Sequence, residues 1–181
     1  MILELRRLTE NELELMMNWR MREDISRTLF SDVKLTLEGQ KKWYEKIKDS
    51  KNEIRWVIWK DNKPIGSMYV DHIDYDNSRC ESGWFLAEKE GMGFEAVISL
   101  QRNLNNYVFD TLGLNRMSGE IIDTNKPLVR IIEICGSKCE GVLRQHVRKN
   151  GVFHDVYLVG ITKDMWYEKR DKMEIVPINI E

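Results

Sequence analysis

The stretch from Glu81 to Gly136 constrains this chain more than any other. A strand-like run, Glu81-Ser82-Gly83-Trp84-Phe85-Leu86, leads into Glu90-Gly91-Met92-Gly93-Phe94-Glu95-Ala96. Val97, Leu100, Leu104 and Val108 then trace one face of a long helix, and Gly113 helps end it. A second apolar strand follows. Asp123-Thr124-Asn125-Lys126-Pro127 opens a short helix, with Pro127 in its first turn and Gly136 after its end. Glycines between a strand and a helix start let backbone approach a ligand closely. Unpaired N–H groups and the helix dipole at that start favour an anion such as a phosphate.

The rest of the chain supplies a frame. Residues 2–7 alternate as a strand. Thr9 and Glu12 have capping-box spacing before a helix around Leu13–Trp19. Residues 20–34 read as irregular and polar, with Leu29 and Phe30 as anchors. Thr36 can cap a helix carrying Trp43 and Ile47. Residues 54–59, 65–73 and 79–86 form a meander joined by polar turns. Residues 115–122 are a strand, and 142–147 and 152–159 a hairpin turned by Asn150-Gly151. A helix over 163–169 and a short alternating tail close the chain. The order β-α-α-β-β-β-α-β-α-β-β makes an α+β fold, a mixed sheet with helices on its faces. One domain over 1–181 accounts for it, large enough to bury a full core.

Composition narrows the functional classes. A net charge of −2 makes no electrostatic case for nucleic acid or an anionic membrane. No apolar run approaches the ~20 residues that span a bilayer, and the start lacks the pattern of a signal peptide. An odd, low cysteine count (Cys80, Cys135, Cys139) suits a reducing cytoplasm. Cys135 and Cys139 could face each other across a turn, but no further ligands lie near. Free, buried or half-buried thiols are expected, and no metal site.

Gly91 to Ala96 literally fits G-x-G-x-x-A, a weak signal alone. A dinucleotide fold needs a βαβ opening and an acidic residue about 20 positions on. Here the preceding strand belongs to an antiparallel meander, and residues 111–115 are Thr-Leu-Gly-Leu-Asn. A glycine turn with no ligand is the plainer alternative.

With the element order added, the chain resembles the GNAT family of acetyl-CoA-dependent N-acetyltransferases. The matching pieces include residues 64–68 (Pro-Ile-Gly-Ser-Met), 81–85, the Gly91/Gly93 loop and 109–114. Asn125 with Arg130, 140–144 and 151–156 are typical of the branch with ribosomal-protein N-terminal, spermidine and nucleotide-aminosugar acetyltransferases. The resemblance implies that Gly91, Met92, Gly93, Phe94, Glu95 and Ala96 hold the pyrophosphate of coenzyme A. It implies that Trp84, Phe85 and Leu86 lie on a strand that splays from residues 115–121, pairs with the pantetheine arm and polarises the thioester carbonyl. Asn125 and Arg130 would also contact the cofactor, and Asn125 doubles as a helix N-cap. Two positions depart from the family pattern. Glu88 stands where Arg or Gln is usual, and should point away from the pyrophosphate. Ile132 stands where many members carry a Tyr that protonates the leaving thiolate. Ser137 and Cys135 are weak substitutes.

Acetyl transfer to an amine needs a base, since an alkyl ammonium has a pKa near ~10. Glu81 and His72 are the candidates. Trp19, Arg20 and Arg22 lie where the fold builds its acceptor wall, and the arginines suit an anionic acceptor. The expected acceptor is a small-molecule amine; a nucleotide-linked aminosugar is one option, a protein N-terminus or a polyamine another. A non-catalytic module that merely holds acetyl-CoA is the rival class. No nucleic-acid or membrane partner is expected, and the chain should be a monomer or homodimer.

Overall fold

A computed structural model describes residues 1–30 and 34–181. Eight strands form one mixed sheet in the order β6-β7-β5-β4-β3-β2-β1-β8. The meander is β2 (Ile54–Lys60), β3 (Lys63–Asp74) and β4 (Arg79–Leu86). On one side it continues to β1 (Leu3–Arg7), and on to β8 (Asn179–Ile180), which runs parallel to β1. On the other side β4 runs parallel to β5 (Arg116–Ile122). The antiparallel hairpin β6 (Lys138–Lys149) and β7 (Val152–Thr162) completes that half.

Helices cover both faces. α1 (Leu13–Met21), α2 (Glu23–Ser26) and α3 (Leu37–Ile47) precede the meander. α4 (Phe94–Asn106) and α5 (Lys126–Ile134) flank β5, and α6 (Lys163–Arg170) follows β7. Under α4, Leu5, Trp56, Met68, Leu100, Leu104 and Trp166 form the main core. Leu13, Met16, Trp19 and Val57 form a second core under α1 and α3.

The capping expectations hold: Thr9 and Glu12 make a reciprocal capping box, and Thr36 Oγ1 accepts from Gly39 N. Four boundaries differ from the periodicity. Residues 20–30 are not all irregular, because Glu23–Ser26 closes one helical turn; residues 31–33 of that stretch lie outside the described residues. α4 ends at Asn106 and widens into a π turn over Tyr107–Thr111. β6 and β7 are longer than 142–147 and 152–159, because paired polar positions extend the ladder past the apolar run. The turn itself is as expected, with Asn150 and Gly151 both at positive φ.

Among the described residues no helix is long and apolar enough to cross a membrane. Cys80 and Cys135 are buried free thiols, but Cys139 is exposed, because it sits near the start of β6 at the sheet edge.

Candidate active site

The site begins where β4 leaves β5. Their ladder pairs Arg79 with Arg116, Cys80 with Met117 and Glu81 with Ser118, and ends there. Gly119 sits at the parting point: a Cβ on it would be 3.1 Å from the Ser82 carbonyl oxygen. Beyond it, β4 keeps its β3 partners but has no ladder on its β5 side. A cavity of about 100 Å³ fills the gap, lined by Ser82, Gly83, Trp84, Phe85, Ser118 to Ile121, Asn125 and Ile132. Backbone N–H and C=O groups with no strand opposite are free to pair with an extended ligand.

The cavity leads into a groove of about 250 Å³ that shares Trp84, Phe85, Asn125 and Leu128 with it. Leu86, Lys89, Met92, Val97 and Pro127 continue the groove. It therefore runs along β4 towards the glycine turn and between the starts of α4 and α5. Gly91 is at φ +65. A Cβ there would stand 2.6 Å from Lys60 Nζ, which donates to the Glu90 carbonyl at 2.7 Å. Gly93 is the N-cap of α4 and has no side chain to cap the first turn, in which Ala96 N–H donates back to the Gly93 carbonyl at 3.1 Å and the Phe94 and Glu95 N–H groups are left to a ligand or solvent. The turn thus combines an uncapped helix start with the ammonium of Lys60.

α5 is set by a Schellman end. Gly136 N–H donates to Glu133 O at 3.0 Å and Ser137 N–H to Ile132 O at 3.2 Å. This holds Ile132 and Ser137 side by side in the lining of the splay cavity. Trp84 is fixed from behind by a buried chain. Its indole N–H donates to Gln101, Gln101 to Asn105, and Asn105 to the Cys135 carbonyl, at 2.8, 2.9 and 3.0 Å.

A larger cavity, about 430 Å³, opens on the α1–α3 side. It shares Thr28, Leu29, Tyr69 and Phe85 with the splay cavity. Met16, Arg20, Gln40, Trp43 and Arg55 form much of the rest. The two cavities meet at Tyr69. Tyr69 pairs with Gly83 across β3 and β4, and its ring covers that glycine so closely that a Cβ would fall 2.6 Å from Cζ. The Arg55 guanidinium lies over the Tyr69 ring, 4.4 Å from its centroid, and is itself held by Glu53 and by Asp71. Burial raises the Tyr69 pKa above the ordinary phenol value, and the charge of Asp71 adds to this. Its hydroxyl has no hydrogen-bond partner among the described residues.

The base candidates come together. Asp71 pairs with Glu81 across β3 and β4, and a bulge follows at Asp71 that sends His72 to φ +48. His72 Nδ1 lies 3.2 Å from Asp71 Oδ1 and 3.6 Å from Glu81 Oε2. Both side chains face solvent, with Glu81 52% and His72 74% exposed. Glu81 does not line the splay cavity but a small neighbouring one, with Arg116 and Glu140; Glu120 lines both.

Some expected roles meet a different geometry. Trp19 is only 4% exposed and lies in the second core, edge-on to Phe85. Its indole N–H donates to Glu88 Oε1 at 3.2 Å. Arg22 is not an open acceptor contact. It donates to the same Glu88 oxygen at 2.7 Å, to Asp24 at 2.9 Å and to the Ala87 carbonyl at 3.0 Å. Glu88 is thereby turned to Arg22, its charge balanced. Arg20 does line the larger cavity on the α1–α3 side. Asn125 stands at the N-cap of α5, but its side chain makes no capping bond and instead lines the groove. Arg130 is exposed on α5, and Phe94 and Glu95 on the first turn of α4; none of the three lines the groove. Cys135 is buried against the Ile98 carbonyl, its thiol pushed up to about 11 by burial, outside the cavity lining.

Tyr69, which lines two of the cavities, and Lys60, which reaches the glycine turn, are the groups that sequence reasoning missed. The turn after Lys60 was legible, but not that Lys60 reaches Glu90. Tyr69 carried one usable signal: it precedes a glycine-bearing strand in a tight meander, where register opposes the two.

The chain is similar to known proteins in sequence and fold. The uncharacterized N-acetyltransferase p20 of Bacillus licheniformis is 30% identical over 132 residues, 71% of this chain and 66% of that protein. The uncharacterized N-acetyltransferase YoaA of Bacillus subtilis is 32% identical over 117 residues, 62% of this chain and 64% of that protein. The chain thus spans just under two thirds of the length of these relatives. The spermidine N-acetyltransferase of Vibrio cholerae, solved with CoA and spermine, superposes with a TM-score of 0.84 at 24% identity. That superposition covers 91% of this chain and 98% of the other, and establishes the shared fold. The acetyltransferase (GNAT) domain profile matches residues 3–138. The chain belongs to the GNAT acetyltransferase family, whose acetyl donor is acetyl-CoA.

Proposed function

We propose that this chain transfers the acetyl group of acetyl-CoA to the primary amine of a small molecule. The observation that carries the reading is the ladder between β4 and β5, which stops at Glu81 and Ser118 and leaves a cavity running to an uncapped helix start. The residues present fit coenzyme A. The Gly91–Ala96 turn and Lys60 suit its pyrophosphate, β4 from Gly83 to Leu86 suits the pantetheine arm, and Asn125 offers an unused amide beside it. Acetyl-CoA supplies an activated thioester with a fair leaving group.

The chain's own groups would do the rest. Backbone N–H groups on the open side of β4 orient and polarise the carbonyl. Glu81, with His72 at 3.6 Å, accepts the ammonium proton of the acceptor through water. The hydroxyl of Tyr69 protonates the leaving sulfur, the role vacant at Ile132. Its raised pKa keeps it protonated across the neutral range. Of the acceptors open at the start, a nucleotide-linked aminosugar finds no support among the relatives. The shared fold of the V. cholerae spermidine acetyltransferase keeps a polyamine in the test.

The experiment is acetyl-CoA-dependent thiol release with a panel of amines, beside calorimetry of CoA binding. Gly93→Asp is the control variant. Its Cβ would meet nothing within 4 Å and its φ is −74, so the fold tolerates it. A carboxylate there should weaken CoA at least tenfold, about 1.4 kcal/mol. Full CoA affinity in that variant removes the site. Saturable CoA binding without turnover of any amine leaves the non-catalytic module.

A further inference from the structure

The acceptor-side cavity holds polar groups that have no partner among the described residues. Arg20 is half-buried and makes no hydrogen bond or ion pair among the described residues. Burial disfavours its charged form, and the neighbouring Arg55 cation adds to that. Arg55 is compensated by Glu53 and Asp71; Arg20 is not. Gln40 is 7% exposed and lines the same cavity, and its amide makes no hydrogen bond among the described residues. A half-buried cation without an anion is costly, and the Gln40 amide, open to the cavity, is free to bond a ligand there. No Asp or Glu is among the described residues that line this cavity.

We infer that the acceptor is a primary amine that also carries an anionic group, a carboxylate or phosphate, bound by Arg20 and Gln40. The inference rests on the acetyl-transfer reading above and names the substrate class for the same site. A guanidinium presents a planar fork of donors that matches a carboxylate or phosphate, and the Gln40 amide adds a neutral donor beside it. The anion at Arg20 leaves the amine end free to point to Tyr69 and Phe85, where this cavity joins the splay cavity. A polyamine is disfavoured by the same groups. Its ammonium ends would meet the uncompensated Arg20 guanidinium, and no carboxylate is among the described lining residues.

The test uses two matched pairs, phosphoethanolamine against ethanolamine and β-alanine against propylamine, with spermidine as the cationic arm. Binding is measured by calorimetry with saturating CoA, which occupies the pyrophosphate site, and again without CoA. Turnover of each amine is measured with acetyl-CoA. The anionic member of at least one pair should bind at least tenfold tighter than its neutral-tailed match, and which pair responds tells phosphate from carboxylate. Arg20→Gln should erase that difference while CoA affinity stays unchanged. Gln40→Leu should reduce it while leaving the neutral-tailed amines unaffected. The inference is overturned if neither pair shows the preference, if spermidine binds tightest, or if the preference survives Arg20→Gln. Loss of CoA binding and of all turnover would instead sink the acetyl-transfer reading. The pairs measured without CoA would still decide the anion site.

Discussion

Removing one oxygen atom tests the assignment of Tyr69. Its hydroxyl makes no hydrogen bond to the described residues, so Tyr69→Phe should cost little stability. A change within ~0.5 kcal/mol shifts the melting temperature of a chain this size by about 2 °C or less. The ring keeps its place under Arg55, a contact made to the ring alone, and losing the oxygen, the atom nearest Gly83, only loosens the packing over that glycine. The catalytic cost should be much larger. Loss of a general acid typically costs 10²–10⁴-fold. A thiolate leaves fairly well unaided, so the low end applies: about 10²-fold in kcat, or ~2.7 kcal/mol of barrier. The assay is thiol release across pH 6–10 with the acceptor that turns over best, beside CoA calorimetry and a melting curve. The expected result is a kcat loss with both the CoA affinity and the acceptor KM retained. Gly83→Ala, which drives a methyl into the ring, should reproduce the loss. Wild-type kcat in Tyr69→Phe refutes the reasoning. So does a raised acceptor KM with unchanged kcat, which would make Tyr69 a wall of the acceptor site and no more.

Asn125→Ala should raise the KM for acetyl-CoA with little change in melting temperature, because its side chain makes no capping bond to lose; a lower melting temperature at unchanged KM reverses that assignment. Glu81→Gln should lower kcat by ~10²-fold or more with CoA affinity intact; if it retains wild-type kcat while His72→Ala loses it, the base is His72. Burial lifts the Cys80 thiol to about 12 and the Cys135 thiol to about 11, while Cys139 is exposed. Ellman's reagent at pH 8 should therefore titrate one thiol in the native protein and three in denaturant, and two fast thiols in the native state contradict this burial.

Elements bounded by local chemistry were legible in the sequence. The capping box at Thr9, the Pro127 and Gly136 brackets of α5 and the Asn150-Gly151 turn all lie where residue types dictate local φ and hydrogen bonding. The splay of β4 from β5 came from the family resemblance, and its geometry bears it out. Lateral relations were not legible. Trp19, Arg22 and Glu88 each read as independent, yet they form one hydrogen-bonded knot through folding. An acid at 88 in place of a base, with an arginine in the segment packed over it, was the available clue. Asn125 was expected to contact the cofactor and also to cap α5; it makes no capping bond, because position on a helix does not specify which way an amide turns. Tyr69 and Arg20 owe their meaning to which groups fail to find partners, and only three dimensions reveal that.

Thr28 lines all three cavities and Leu29 two of them, so the segment after α2 forms the wall between the groove proposed for the cofactor and the cavity proposed for the acceptor. Its own helix is a single turn and cannot hold it rigid. The anchors come from the far half of the sheet. Lys149, 4% exposed at the end of β6, donates from Nζ to the Ser26 carbonyl at 2.8 Å and to the Leu29 carbonyl at 2.6 Å. Thr124 Oγ1 donates to the Arg27 carbonyl at 2.7 Å. Hydrogen bonds from a charged donor are worth about 1.5–3 kcal/mol each. Lys149→Met keeps much of the buried aliphatic stem but removes both bonds and should release the wall. The KM values for acetyl-CoA and for the acceptor should then rise together, by at least tenfold for the acceptor, and protease cleavage within residues 22–30 should quicken. Tyr69 and Glu81 are untouched, so kcat at saturation should hold within a few-fold. Thr124→Val, which removes only the single neutral bond, should show the same direction at a fraction of the size. A Lys149→Met enzyme that melts earlier but keeps both KM values would make the lysine a prop for the hairpin alone, with no part in building the acceptor wall.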